Sequence, residues 1–200
     1  VTFVVRVVAV PERASQAHRL AGMVGGTVVM DTNHDGAFPN HVRALQHTGD
    51  ATHVVVLEDD AIPCGDFRDH VADIIAERPD HLLGLYVGRT APKKPQPLLA
   101  EITVDGGEWL DHPDVVDRLR WGVGYVMPTV DVPVVLQHVG TLSQHAWLNT
   151  DVRMGSWHAA QGRLSYPFPS LVDHDDDLPS TTSTHRRGRV AWRHCERTTP

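Results

Sequence analysis

Three acids, Glu58, Asp59 and Asp60, stand side by side directly after the apolar run His53-Val-Val-Val-Leu57. Carboxylates that close repel one another, and each disfavours ionisation of the next. A divalent cation resolves such a cluster, because hard cations take oxygen ligands and Mg²⁺ often uses one or two carboxylates together with substrate phosphates. A solvated acidic turn is the ordinary role of an acidic triplet. Here the triplet follows a buried segment without a break, which points to a site that seats a metal-bound diphosphate.

The elements around the triplet favour that reading. Residues 1–10 are rich in β-branched side chains and read as a buried first strand. Residues 12–24 carry apolar positions at helical spacing, and the Gly25-Gly26 pair stops them. A short second strand ends in Asp31, a turn-rich loop covers 32–40, and a short helix follows over 41–48. Residues 52–58 form a third strand, 64–78 an amphipathic helix and 81–88 a fourth strand. This alternation predicts an α/β fold with a mostly parallel central sheet and helices on both faces. In such sheets ligands bind beyond the carboxyl ends of the strands, where the acids, Asp31 and the Pro11-Glu12-Arg13 turn all fall. The second half is less regular. It offers a proline-rich loop over 91–97, an added strand over 98–104, a Gly/aromatic strand over 121–128, and helices over 130–139 and 149–162. No Gly-rich dinucleotide fingerprint or Walker loop follows any strand.

The segment "HVVVLEDDAIPCGDF" resembles the "LEDD" region of family 25 glycosyltransferases, the lipopolysaccharide and collagen galactosyltransferase type. More broadly it is similar to the DxD-type motif of GT-A fold nucleotide-sugar transferases. Weaker likeness extends over "VPER", "WGVGYVM", "NTD" and "PFPSLVDH". The resemblance implies a single GT-A-like domain over 1–200, with a nucleotide-binding half (1–90) and an acceptor-binding half (91–200). It implies Mn²⁺ or Mg²⁺ on Asp60, with Glu58 facing the ribose or the metal shell and Asp59 between. Such enzymes often complete the metal shell with a late histidine or acid, and His174 and His185 are the candidates. Mn²⁺ accepts imidazole and carboxylate together.

The remaining candidates each have an everyday alternative. Arg13, in the first strand-to-helix turn, can grip phosphate bidentately or stack on a base, or it can be a helix-surface arginine. Asp31 can contact the base or cap a turn. Asp151, at a helix start, matches the base carboxylate of inverting enzymes, which deprotonates the acceptor hydroxyl; N-capping is its plain role. Gly122 and Gly124 would let a donor approach the backbone closely, or mark a strand bulge. Trp121, Tyr125 and Trp157 can stack on sugars but weigh toward core.

Composition bounds the partners. The chain has 200 residues, 41% hydrophobic and 22% charged, in the range of an ordinary globular domain. Net charge is −7, which argues against extended nonspecific nucleic-acid binding. The basic stretch 185–197 nevertheless permits a nucleic-acid acceptor, such as a hydroxymethylated DNA base; a glycan or a protein are the other acceptor classes. No apolar run approaches the roughly 20 residues that span a bilayer. No signal-peptide pattern is recognised, and the 2 cysteines make no disulfide framework, so a cytoplasmic location is expected. Two competing readings remain: a metal-dependent phosphohydrolase or nuclease using both acidic clusters, and a non-catalytic nucleotide-sugar binding module.

Overall fold

The computed structural model describes residues 1–104, 108–142, 149–177 and 188–195. The strands are β1 (Phe3–Ala9), β2 (Thr27–Met30), β3 (His53–Glu58), β4 (Ala61–Pro63), β5 (Leu82–Gly84), β6 (Trp109–Leu110), β7 (Gly124–Pro128), β8 (Leu164–Pro167) and β9 (Val172–His174). The α-helices are α1 (Ala14–Val24), α2 (Ala37–Ala44), α3 (Phe67–Glu77), α4 (Gln96–Val104), α5 (Pro113–Val116), α6 (Val132–Thr141) and α7 (Thr150–Ala160). Seven strands form one sheet in the order β2-β1-β3-β7-β5-β8-β6, and β4 pairs with β9 in a small second sheet.

The α/β expectation holds, with one refinement. The sheet is mixed: β2, β1 and β3 run parallel, as do β5 and β8, but β7 is antiparallel to both β3 and β5. β7 comes from the second half of the chain and lies between two strands of the first, so the halves interleave. Strand order reverses at β1, with β2 on one side and β3 on the other. Right-handed crossovers then place α1 and α2 on opposite faces. Consistent with this, α1 packs on β4, while α2 and α6 both pack on α7.

Two elements differ from the sequence reading. Residues 98–104 belong to helix α4 rather than a strand; their short apolar run carries no period able to separate the two. Helix α2 begins at Ala37, inside the predicted loop, with Pro39 in its first turn, where a missing N–H costs nothing.

Burial fixes the position of the acids. Val54, Val55, Val56 and Leu57 are all 0% exposed, because helices cover both faces of the sheet there. Each such side chain contributes about 1.5–3 kcal/mol on burial. The strand is therefore anchored by its apolar run, and the acids are carried to its carboxyl end.

Two histidines are buried in the supporting layer. His41 Nδ1 lies 3.2 Å from the Tyr125 hydroxyl. His158 Nε2 lies 3.1 Å from Asp131, which also pairs with Arg163. Burial lowers the pKa of each from 6.5 to about 4. Both are neutral in the folded protein, and below pH 6.5 the unfolded chain takes up the protons first. Stability is expected to fall from about pH 6.5 down to about pH 4, each histidine approaching ~1.4 kcal/mol per pH unit. Urea midpoints at a series of pH values check this, and His41→Gln should flatten the profile. A midpoint that holds constant across that window would refute it.

Candidate functional site

The carboxyl ends of β1 and β3 open into a cleft of about 480 Å³. Its walls are the end of β1 (Val8 to Val10), the Glu12-Arg13 turn, the loop from Asp31 to Gly36, and the start of α2. Glu58, Asp59, Asp60 and Arg189 complete it. This is the crevice at the reversal of strand order, where open α/β sheets bind ligands.

The protein's own cation offsets part of the acid cluster. Arg13 Nη1 lies 2.6 Å from Asp59 Oδ1 and 3.2 Å from Asp60 Oδ2. One guanidinium therefore bridges two carboxylates, and one formal charge is left over. Arg13 is thus committed to the acids, not presented as a helix-surface side chain.

His174 arrives from β9. The β4–β9 pairing sets Ala61 opposite His174, and the Asp175 amide donates to the Asp60 carbonyl at 2.8 Å. His174 Nε2 consequently sits 3.3 Å from Asp60 Oδ2, with side chains 3% and 8% exposed. The two are not aligned for a hydrogen bond. Asp60 Oδ1 and both His174 ring nitrogens are buried without hydrogen-bond partners. Burial works against ionisation of Asp60, but the adjacent His174 ring and Arg13 outweigh it and hold that carboxyl below its usual range.

These orphaned atoms fit a cation. Imidazole plus carboxylate suits Mn²⁺, and a buried carboxylate oxygen without a hydrogen bond, as Asp60 Oδ1 is, is costly unless something binds it. Among the described residues, no group of three or more His, Cys, Asp or Glu is arranged to hold a metal. Two protein ligands would leave most of a cation's coordination sphere to other groups. His185 lies outside the described residues.

Glu58 points another way. Its side chain is 38% exposed to the cleft, and its Oε1 lies 3.9 Å from His41 Nε2. Crowding by protein atoms, then the charges of Asp60, Asp151 and Asp59, raise its carboxyl well above the ordinary range. Asp151 stands across Gly122 from it. A Cβ placed on Gly122 would lie 3.2 Å from Glu58 Oε1 and 3.4 Å from Asp151 Cβ. Asp151 is the second residue of α7, behind Asn149 at the N-cap position, and its Oδ1 accepts from the Val152 amide at 2.9 Å. Burial outweighs that amide and raises the Asp151 carboxyl too. Of the two acids that Arg13 bridges, Asp60 is held below its usual range, while burial raises Asp59 although Arg13 works against it; Glu58 and Asp151, on either side of Gly122, are raised as well.

Two candidates serve the scaffold. Asp31 is 2% exposed, and its oxygens accept from the Asp35 amide (3.0 Å), the Gly36 amide (2.8 Å) and Arg43 (2.6 Å). It shapes the loop that walls the cleft and has no oxygen turned to a base. Gly124 is buried in the sheet, where a Cβ would lie 2.8 Å from Leu57 Cδ2. Its missing side chain serves packing, not a ligand. Gly124→Ala is therefore expected to cost about 1–3 kcal/mol, lowering Tm by about 2–4 °C for each kcal/mol. Gly122→Ala should melt near the parent, because the nearest atom its Cβ would meet is the end of the Glu58 side chain, 3.2 Å away and able to give. Equal melting shifts for the two would contradict these placements. Trp121 and Tyr125 are 7% and 0% exposed and belong to the core.

The sequence reading did not single out Arg189. It lines the cleft, Nε lies 3.5 Å from Asp176, and Nε and Nη2 are buried without hydrogen-bond partners. Only its place in a basic stretch marked it. Its segment is held by acids of the late cluster. Asp173 accepts from the Ala191 amide at 2.7 Å, and Asp176 from the amides of Gly188 and Arg189.

No protein-family model matches the chain, and no curated protein matches it. Among the described residues, no helix is long and apolar enough to cross a membrane.

Proposed function

We propose that the protein is a metal-dependent glycosyltransferase. It moves a sugar from a nucleoside-diphosphate sugar, a UDP-sugar being the first to test, to an acceptor hydroxyl with inversion. The observation that carries this is Asp60, which lines a cleft on the carboxyl ends of β1 and β3 with its buried Oδ1 unpaired and its Oδ2 3.3 Å from His174 Nε2. Asp60 and His174 would hold Mn²⁺ or Mg²⁺. When bound, the metal would supply positive charge to the departing nucleoside diphosphate.

The other roles belong to the chain's own groups. Arg13 holds Asp59 and Asp60 in place and favours their ionised forms against burial. Arg189 lines the cleft with two N–H groups that, among the described residues, no protein atom takes up, and would bind a phosphate oxygen of the donor. Asp151 takes the acceptor proton as the hydroxyl attacks, with its raised carboxyl nearer the working pH than that of an ordinary aspartate. Glu58 lies on the donor side of Gly122 and hydrogen-bonds a sugar or ribose hydroxyl. Gly122 lets Glu58 and Asp151 come close to each other, since a Cβ there would crowd both. The late acids favour no second metal, since Asp173 and Asp176 are engaged with backbone amides.

The test is incubation with a panel of nucleotide sugars and Mn²⁺, following free nucleoside diphosphate. Slow donor hydrolysis that stops on chelation is the expected result. Phosphate release from simple phosphoesters would instead make the protein a hydrolase. Metal-dependent donor binding with no turnover across a full acceptor panel would make it a binding module.

A further inference from the structure

Both lysines of the chain, Lys93 and Lys94, lie in the proline-rich loop after β5, and the basic stretch lies about a hundred residues further on. The fold brings them together. Residues 188–192 run antiparallel along residues 87–90, with Gly88 opposite Ala191. The Arg89 amide donates to the Val190 carbonyl at 2.9 Å, the Trp192 amide to Val87 at 2.9 Å, and the Thr90 hydroxyl to Gly188 at 2.9 Å. Trp192 Nε1 donates to Gln96 at 2.8 Å, and the Gln96 amide donates to the Lys93 carbonyl at 3.2 Å, which ties the lysine loop to the same edge.

The result is a positive strip on an otherwise acidic protein. Arg89, Lys93 and Lys94 are exposed, and among the described residues none of them forms an ion pair. The Arg89 guanidinium lies 5.5 Å from the centre of the half-buried Trp192 ring. Beyond Val190 the strip runs into the cleft at Arg189. Cations beside an aromatic platform are the recognition chemistry of an unpaired nucleic-acid strand, whose phosphates meet the charges while a base stacks on the ring or guanidinium. A duplex fits less well. Asp176 is bound to the Gly188 and Arg189 amides at the end of the strip, and a second row of phosphates would face that acid and a net charge of −7.

We propose that Arg89, Lys93, Lys94 and Trp192 form a docking strip for single-stranded nucleic acid leading to the cleft. Its service as an acceptor platform rests on the transferase reading; the binding does not.

The experiment measures fluorescence anisotropy of a labelled oligothymidylate of about a dozen nucleotides, a span of the size single-strand grooves take up. Wild-type protein should bind it, more weakly as salt rises from about 50 to about 200 mM. The exposed triple variant Arg89→Ala/Lys93→Ala/Lys94→Ala should keep its circular dichroism and lose about tenfold or more in affinity. Its log–log salt slope should flatten by about 2, three contacts at about 0.7 each. Absent wild-type binding at the lowest salt, or unchanged affinity in the triple variant, overturns the strip. So does tighter binding of a duplex of equal length, or of an anionic polysaccharide. Asp60→Ala separates the two proposals, since it should lose nucleotide binding and keep oligonucleotide binding. A protein that turns over donor but binds no oligonucleotide sinks the strip alone. One that binds the oligonucleotide but never a nucleotide sugar sinks the transferase reading alone.

Discussion

Asp60→Ala is expected to lose metal-dependent nucleotide binding by about 100-fold or more, a loss at or beyond the top of the range for removing a metal's outer supports. The physical basis is the lone Oδ1 of Asp60, buried and unmatched, on a carboxylate whose Oδ2 lies 3.3 Å from His174 Nε2. The fold should survive, because Arg13 keeps its shorter 2.6 Å contact with Asp59. Calorimetric titration of UDP in Mn²⁺ buffer reads the effect, and a parallel titration with chelator should make wild type resemble the variant. His174→Ala should weaken binding by about tenfold, and by more than His185→Ala. Asp59→Asn should behave differently. It weakens the Arg13 pair and lowers stability, while leaving both proposed ligands in place. Unchanged UDP affinity in Asp60→Ala would remove the metal from this cleft.

Asp151→Asn should transfer sugar about 10²–10⁴-fold more slowly, the usual cost of removing a general base. Donor binding and Tm should stay near wild type. An amide oxygen can still accept the Val152 N–H that Asp151 now takes at 2.9 Å, so the first turn of α7 is preserved. An amide cannot accept a proton at working pH. Because burial raises the Asp151 carboxyl, the wild-type rate should fall on the acid side at a pH above that of an ordinary aspartate. An Asp151→Asn enzyme working at full rate would leave Asp151 a helix-turn residue. Glu58, across Gly122, would then be the next carboxyl to test.

The chemistry-bearing part of the first half was legible because burial and charge change abruptly at one point. The run Val54 to Leu57 had to be interior, so the acids after it had to stand at a strand end. Arg13 was legible by its place in the first turn, but its partners were not, since nothing local shows that its guanidinium reaches residues 46 and 47 positions away. Asp31 was misleading for a physical reason. A carboxylate at a strand end serves a turn as readily as a ligand, and here two amides and Arg43 compete for it. Gly122 and Gly124 look alike in sequence. Gly124 lies inside β7 and Gly122 before it, and their missing side chains meet different neighbours, Leu57 for one and Glu58 and Asp151 for the other. Arg189 became visible only when the chain folded back along residues 87–90. The antiparallel placement of β7 depends on long-range pairing that local periodicity does not report.

That placement of β7 bears on how the chain comes to exist at all. A ribosome releases β3 long before the strand that must lie beside it. Until then β3 carries a bare edge of four wholly apolar residues, the kind of edge that recruits other chains. A fragment ending near residue 90 would keep that edge permanently and is expected to aggregate rather than bind nucleotide. The pairing of distant segments also slows the search for the native state. The protein is therefore one interleaved folding unit.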